Sequence, residues 1–388
     1  MASYKYLFIS RKSSHFKYYK KVVKYIGDSA KLICIKKFPF PRVRYWSRVN
    51  ELDINDLTKT HLQRKLIRHP SLQSSRLFSN LIYLFYCFRE KCRASYYFAY
   101  FDTTQIDNLV VWNGMKQPNR TPYLVAKAMG IKTFVFENGL LPHTTTLDPK
   151  GVNAHNSLPR EASFYHQWQP KNKLLDNVSL EVRQAKNKAC RESQHVELPD
   201  TFIFVPFQVP NDTQIICHSP WLKTMEALFS AVSEALEHAR ASTGKGIKVV
   251  MKEHPSWPKN FEHLYQANPN IVFLNGMNTQ SLIESSTAVA TINSTVGIEA
   301  LLLNKQVITM GDCCFNIDGI VTNCLTQSTL NNAFEACLDD KFNPELTHKF
   351  LSYLKEVYLL PWTWSKVDKL EVEDYRSHFD AVLQVLES

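Results

Sequence analysis

Several signatures of phosphate and metal chemistry are missing from these 388 residues. There is no Asp-x-Asp pair to hold a divalent cation, and no Gly-x4-Gly-Lys-Ser/Thr, which excludes a P-loop. No Gly-x-Gly-x-x-Gly follows a strand, which argues against a dinucleotide cofactor. No His, Cys and carboxylate cluster has metal-ligand spacing, so no metal is expected. The nine cysteines form no Cys-x-x-Cys, and Cys313 and Cys314 are neighbours poorly placed to pair. Reduced, buried thiols in a cytoplasmic protein are expected. The first residues, Met-Ala-Ser-Tyr-Lys, lack the apolar core of a secretory signal. The apolar and aromatic run at residues 77–88 (LFSNLIYLFYCF) is too short to span a bilayer, which takes about 20 residues. No internal repeat, low-complexity tract or Gly/Ser linker is present.

What is present suits a large folded chain. Apolar residues make up 44% and aromatics 12%, enough for a sizeable core and for two domains. The net charge of +10 is unevenly spread: residues 1–100 hold 21 Lys and Arg against five Asp and Glu. The first hundred residues therefore carry +16 and the remainder −6. Such asymmetry fits an anionic partner, whether nucleic acid, lipid headgroups or an acidic glycan, and fits equally a solvated basic face. The basic-flanked run 77–88 could lie as a helix in a membrane interface or be ordinary core.

Strand and helix patterns alternate. In the first half, strands are expected at 6–10, 31–35, 108–113 and 132–136. Helices are expected from 13 to 26 and from 122 to 129, the latter ending at Gly130. Residues 144–169 read as a long functional loop. In the second half, strands are expected at 202–207, 247–251, 271–274, 288–292 and 306–310, with helices at 221–241, 279–285 and 295–303. Helices from 330 onward close the chain. Alternation implies parallel sheets. The expected division is a first Rossmann-like domain (1–170), a crossover (171–199), a second Rossmann-like domain (200–360) and C-terminal helices (361–388) packing back toward the first. The fold class is α/β, with two Rossmann-like domains facing across a cleft as in GT-B glycosyltransferases.

Polar clusters stand at the carboxyl ends of three strands, where open parallel sheets bind ligands. Asn293-Ser294-Thr295-Val296-Gly297 joins a strand to a helix. Ser294 or Thr295 could cap that helix, and its free N–H groups attract an anion. Glu299, a turn later, could accept bonds from two ribose hydroxyls. Lys252 and His254 alternate at a strand end and share a face, and Pro255 holds the exit extended. Together they could stabilise a departing phosphate. Asp212, in Gln208-Val209-Pro210-Asn211-Asp212-Thr213-Gln214, is either a turn residue or a nucleophile or base. Glu137 leaves its strand in Glu137-Asn138-Gly139, and the two carboxylates could divide nucleophile and acid/base duties. Asp148 is a rival carboxylate.

The segment FENGLLPHTTTLDPKGVNAHNSLPR (136–160), with QVPNDTQ, KEHP and NSTVGIEALL, resembles the capsule polysaccharide synthesis family of KpsS/KpsC type. Within it, the likeness is to retaining β-Kdo glycosyltransferases such as the Kdo transferase module of the O-antigen enzyme WbbB. The motifs span roughly residues 134–311. The resemblance implies a GT-B fold, CMP-β-Kdo as donor, no cofactor, and retention through a covalent adduct. It implies Asp212 as nucleophile and Glu137 as acid/base. Lys252 and His254 would hold the CMP phosphate, with Ser294, Thr295 and Glu299 on phosphate and ribose. Gln208, Asn138 and Asn293 would lie beside the substrate. The partners implied are CMP-Kdo and an anionic lipid-linked glycan acceptor, with no nucleic acid. The location implied is the inner face of the bacterial cytoplasmic membrane, reached through the basic first domain. A teichoic-acid-type CDP-polyol phosphotransferase and a non-catalytic glycan-binding assembly partner are the alternatives.

Overall fold

The computed structural model describes residues 4–11, 13–73, 76–171, 180, 197–339 and 342–388. In chain order the strands are β1 (Tyr4–Ser10), β2 (Ala30–Cys34), β3 (Ile106–Trp112), β4 (Lys132–Asn138), β5 (Thr144–Asp148), β6 (Phe202–Pro206), β7 (Lys248–Lys252), β8 (Ile271–Phe273), β9 (Ala288–Thr291), β10 (Gln306–Thr309), β11 (Thr322–Asn323) and β12 (Leu359–Pro361). They form two sheets, ordered β12-β5-β4-β3-β1-β2 and β11-β10-β9-β6-β7-β8. The chain divides accordingly into a first unit, Met1–Leu158 with Tyr358–Ser388, and a second, Pro159–Val357. Two Rossmann-like units in one chain are the GT-B pattern.

In the first unit β2, β1, β3 and β4 are parallel, while β5 pairs antiparallel with β4 and the edge strand β12 pairs antiparallel with β5. Both faces are covered, which is why β1 reads as an unbroken apolar run. Its alternate residues part company across the sheet. Leu7 and Ile9 join Leu109, Val111, Val135 and, from helix Arg76–Thr104, Tyr97, Phe98 and Phe101. Tyr6 and Phe8 join Val110, Phe134 and Phe136 on the other face, with Phe379, Val382 and Leu386 from helix Val372–Glu387.

Three expectations are corrected here. Residues 144–148 are a buried strand, β5, rather than loop: Gly139 permits a tight return, since a Cβ there would lie 1.9 Å from Thr144 Oγ1. The segment after 330 is not purely helical, because β12 crosses back to pair with β5. The first boundary falls at 158/159 rather than 170, because Tyr165 of helix Ala162–Gln167 packs edge-on against Phe350 and Tyr353 of the second unit. The expected crossover at 171–199 lies mostly outside the described residues.

Three histidines of the first unit are kept neutral by burial. Loss of solvent brings His15 down to about 4, helped by nearby Arg11, and brings His61 to about 4 as well. His378 is lowered too, and its Nε2 lies 2.8 Å from the Tyr18 hydroxyl. The unfolded chain, with histidines near 6.5, binds protons the folded unit refuses. Stability is therefore complete above about pH 6.5 and declines as the pH falls toward 4. Urea midpoints at pH 7.5 and pH 5 should differ clearly in wild type and less in a His15→Gln/His61→Gln variant. An equal difference in both would refute this account.

The second unit is wholly parallel. Renumbered within the unit, its order is 3-2-1-4-5-6, the dinucleotide-fold order. The order reverses between β6 and β9, so the loops leaving those two strands diverge and open a crevice at their carboxyl ends.

Candidate active site

At this switch point the loops after β6 and β9 are tied together. Gln208 Nε2 donates to Asn293 Oδ1 at 3.0 Å, and Asn293 N–H donates to Gln208 Oε1 at 3.1 Å. Asn293 Nδ2 faces the carbonyls of Gln214 (3.0 Å), His218 (3.1 Å) and Asp312 (3.4 Å). Both amides are buried. Gln208 and Asn293, expected beside the substrate, have polar atoms that hold the walls of the crevice in place.

Asp212 is the N-cap of helix Thr213–His218, with Oδ1 accepting from Gln214 N–H at 3.0 Å and Thr213 Oγ1 at 3.2 Å. Capping suits an ionised carboxylate, and it fixes the side chain's direction at the crevice. Across the switch point, helix Val296–Leu302 follows β9. Ser294 Oγ accepts from Val296 N–H at 3.2 Å, so Ser294 rather than Thr295 supplies the capping oxygen. Glu299 N–H bonds back to the Thr295 carbonyl at 3.1 Å, and Glu299 is half-buried. Gly297 is demanded by packing, because a Cβ there would come within 2.8 Å of the Phe315 ring.

Lys252 ends β7, in register with Pro206 of β6, so it stands one strand from Gln208. Its Nζ donates to the Met277 carbonyl. His254 lies just past the strand, half-buried, with Nδ1 accepting from Ser256 N–H at 3.1 Å. Between them Glu253 is buried, accepting from Phe261 N–H and the Tyr265 hydroxyl, each at 2.8 Å. Its own N–H donates to Asn275 Oδ1 at 2.8 Å. That anchor holds Lys252 and His254 on the opposite, more open side.

Glu137 and Asn138 belong to the first unit, at the carboxyl end of β4. Glu137 Oε2 accepts from Asn113 Nδ2, and Asn138 Oδ1 accepts from Trp364 Nε1 at 2.8 Å. His15 stacks on Trp112, with ring centroids 3.8 Å apart, and lies 4.6 Å from Trp364. Asn113, His15 and Trp364 were not expected at a site. Only Asn113, emerging from its strand as Glu137 does, carried a readable signal. Asp148, the rival carboxylate, is excluded as a catalytic group. It is fully buried and accepts from the N–H groups of Lys150, Gly151 and Ser157 and from the Ser157 and Tyr358 hydroxyls, all within 2.9 Å.

The model of a family described as "Capsule polysaccharide biosynthesis protein" matches residues 171–358. Protein FixF of Sinorhizobium fredii (strain NBRC 101917 / NGR234) is 35% identical over 81% of this chain and 76% of its own. The chain belongs to the capsule polysaccharide biosynthesis family. The capsule polysaccharide export protein KpsS of Escherichia coli is 24% identical over 68% of this chain and 84% of its own. Among solved structures, Thermosulfurimonas dismutans KpsC, beta Kdo 2,7 transferase, aligns over 92% of each chain at 16% identity, with a TM-score of 0.47. The family match includes every second-unit candidate of this capsule-family chain, from Gln208 to Glu299, and begins after Glu137 and Asn138.

Proposed function

We propose that the chain is a retaining, metal-independent β-Kdo glycosyltransferase acting on CMP-β-Kdo. Its acceptor is an anionic, membrane-linked glycan or glycolipid of bacterial capsule or O-antigen synthesis, and it works at the cytoplasmic face of the membrane. The observation that carries this reading is the capped Asp212 at the switch point of the second sheet, opposite the Ser294 helix start and one strand from Lys252. Membership of the capsule family and the resemblance of the four motifs to those of Kdo transferases support Kdo as the sugar.

In this mechanism an Asp212 oxygen attacks the anomeric carbon as the bond to CMP breaks, and CMP leaves with the bonding electron pair. Lys252, His254 and the backbone N–H groups after Ser294 neutralise the leaving phosphate. Glu299 holds the ribose. Glu137 then takes the proton of the acceptor hydroxyl as that oxygen displaces Asp212. Two inversions give net retention. Gln208 and Asn293 position the loops.

Intact-mass spectrometry after incubation with freshly generated CMP-Kdo tests the reading. Wild type should gain one Kdo residue, and Glu137→Gln should accumulate that adduct when acceptor membranes are added, because deglycosylation lacks its base. Turnover of CDP-glycerol without any adduct from CMP-Kdo would overturn the proposal in favour of a polyol phosphotransferase.

A further inference from the structure

Nine of the fourteen large apolar side chains exposed among the described residues fall within positions 38–88. Six line helix Arg76–Thr104 at Leu77, Phe78, Leu81, Leu84, Phe85 and Phe88, the spacing of one helical face. The opposite face is occupied: Tyr83 donates to Asn55 at 2.9 Å, and Tyr86 meets the His61 ring edge-on at 4.9 Å. Further along, the helix turns fully into the core at Tyr97 and Phe98.

The other three exposed groups, Phe38, Phe40 and Val43, come from the segment Lys36-Lys37-Phe38-Pro39-Phe40-Pro41-Arg42-Val43-Arg44. Phe38 joins the helix stripe, with ring centroids 6.1 Å from Phe85 and 6.4 Å from Phe88. Phe40 is 91% exposed and Val43 81%. The segment is pinned from beneath. The buried Arg93 guanidinium donates to the carbonyls of Lys36 and Lys37, and Arg42 N–H donates to Ser95 Oγ at 3.1 Å. Two prolines stiffen it further. These phenylalanines are therefore held out into solvent by structure.

The charges of the exposed segment are positive. Lys36, Lys37, Arg42 and Arg44 are all exposed on the same segment. Between residues 29 and 101 the carboxylates are Glu51, paired with Arg48, Asp53, which caps helix Ile54–Arg68, Asp56, paired with Arg120, and Glu90, buried and paired with Arg89 and Arg93. An apolar stripe rimmed by cations matches a surface with buried hydrocarbon and outward anions. No described helix is long and apolar enough to cross a membrane, so the match is to a bilayer face.

We propose that this face docks onto an anionic lipid bilayer. Phe38, Phe40, Leu81 and Phe85 enter the headgroup–acyl boundary, and Lys36, Lys37, Arg42 and Arg44 meet the lipid phosphates. The proposal supplies the contact surface for the membrane placement suggested above and is independent of the donor.

Co-sedimentation of the full chain with vesicles of phosphatidylcholine, alone or mixed with phosphatidylglycerol, tests it with no sugar nucleotide present. Wild type should pellet with the mixed vesicles and release at high salt. Phe40→Ser/Leu81→Ser/Phe85→Ser should lose at least about ten-fold in vesicle affinity with an unchanged melting temperature. Arg42→Gln/Arg44→Gln should lose about five-fold per charge removed. Wild type left in the supernatant, or a triple variant that binds as wild type does, would overturn the proposal. So would a wild-type dimer, seen by light scattering, that the triple variant makes monomeric without vesicle binding in either; the face would then belong to a second copy. None of these failures touches the donor reading.

Discussion

Asp212→Asn is expected to lower CMP release from CMP-β-Kdo by about a thousand-fold or more while leaving the melting temperature where it is. The two halves of this expectation come from different roles of one side chain. Asparagine caps a helix as well as aspartate does, so the bonds from Gln214 N–H and Thr213 to Oδ1 have a ready substitute. It cannot form a stable ester with an anomeric carbon. Asp212→Ala should lose the same activity and in addition about 1 kcal/mol of stability, the usual value of a cap. Initial rates and thermal melts on the two variants separate the roles. An asparagine variant with near-normal turnover would leave Asp212 as a cap only and would move the nucleophile to another residue.

Asn293→Leu should be the more damaging change to the fold. It strands the carbonyls of Gln214 and His218, and it leaves the buried Gln208 amide without its Oδ1 partner. Buried polar groups left unmet cost about 1–3 kcal/mol each, so a loss of about 3 kcal/mol or more is expected in urea unfolding. Because the same bonds join the loops after β6 and β9, donor binding should fall together with stability. Gln208→Glu is a milder companion: it keeps the acceptor for Asn293 N–H and loses the Nε2 donor. Near-wild-type unfolding of Asn293→Leu would show that these bonds contribute little.

Much of the second sheet could be read in advance, because five of its six strands are short apolar runs followed by a polar break; the two-residue, exposed β11 was not expected. Helix Thr279–Ser285 falls where its pattern places it. The polar motifs at strand ends were legible for the same reason. What could not be read depends on partners far along the chain. Gln208 meets Asn293 across 85 positions, and Tyr358 meets Asp148 across 210. A carboxylate in a Pro- and Gly-rich segment looks catalytic until its five donors are in view. Strand β5 escaped notice because Thr144-Thr145-Thr146 is polar in sequence, although Thr145 and Thr146 are buried. Thr145 is satisfied by donating to the Trp362 carbonyl at 2.9 Å, a group 217 residues away. Glu253, between Lys252 and His254, drew no expectation from the sequence and is a buried anchor.

The discontinuity of the first unit bears on how a ribosome must deliver this chain. Strand β12 and helix Val372–Glu387 complete a sheet and a core whose other members were synthesised before Leu158. All of Pro159–Val357 emerges in between. At about 5–20 residues per second, that interval lasts roughly 10–40 s. Throughout it, the side of Tyr6, Phe8 and Phe136 that awaits Phe379 and Leu386 is only partly covered, by Tyr18, Tyr19 and Val22 of helix Ser14–Ile26. The inserted unit can fold on emergence, while the older half waits with sticky surface showing, and nascent chains of this protein should be clients of ribosome-bound chaperones until the last helix appears.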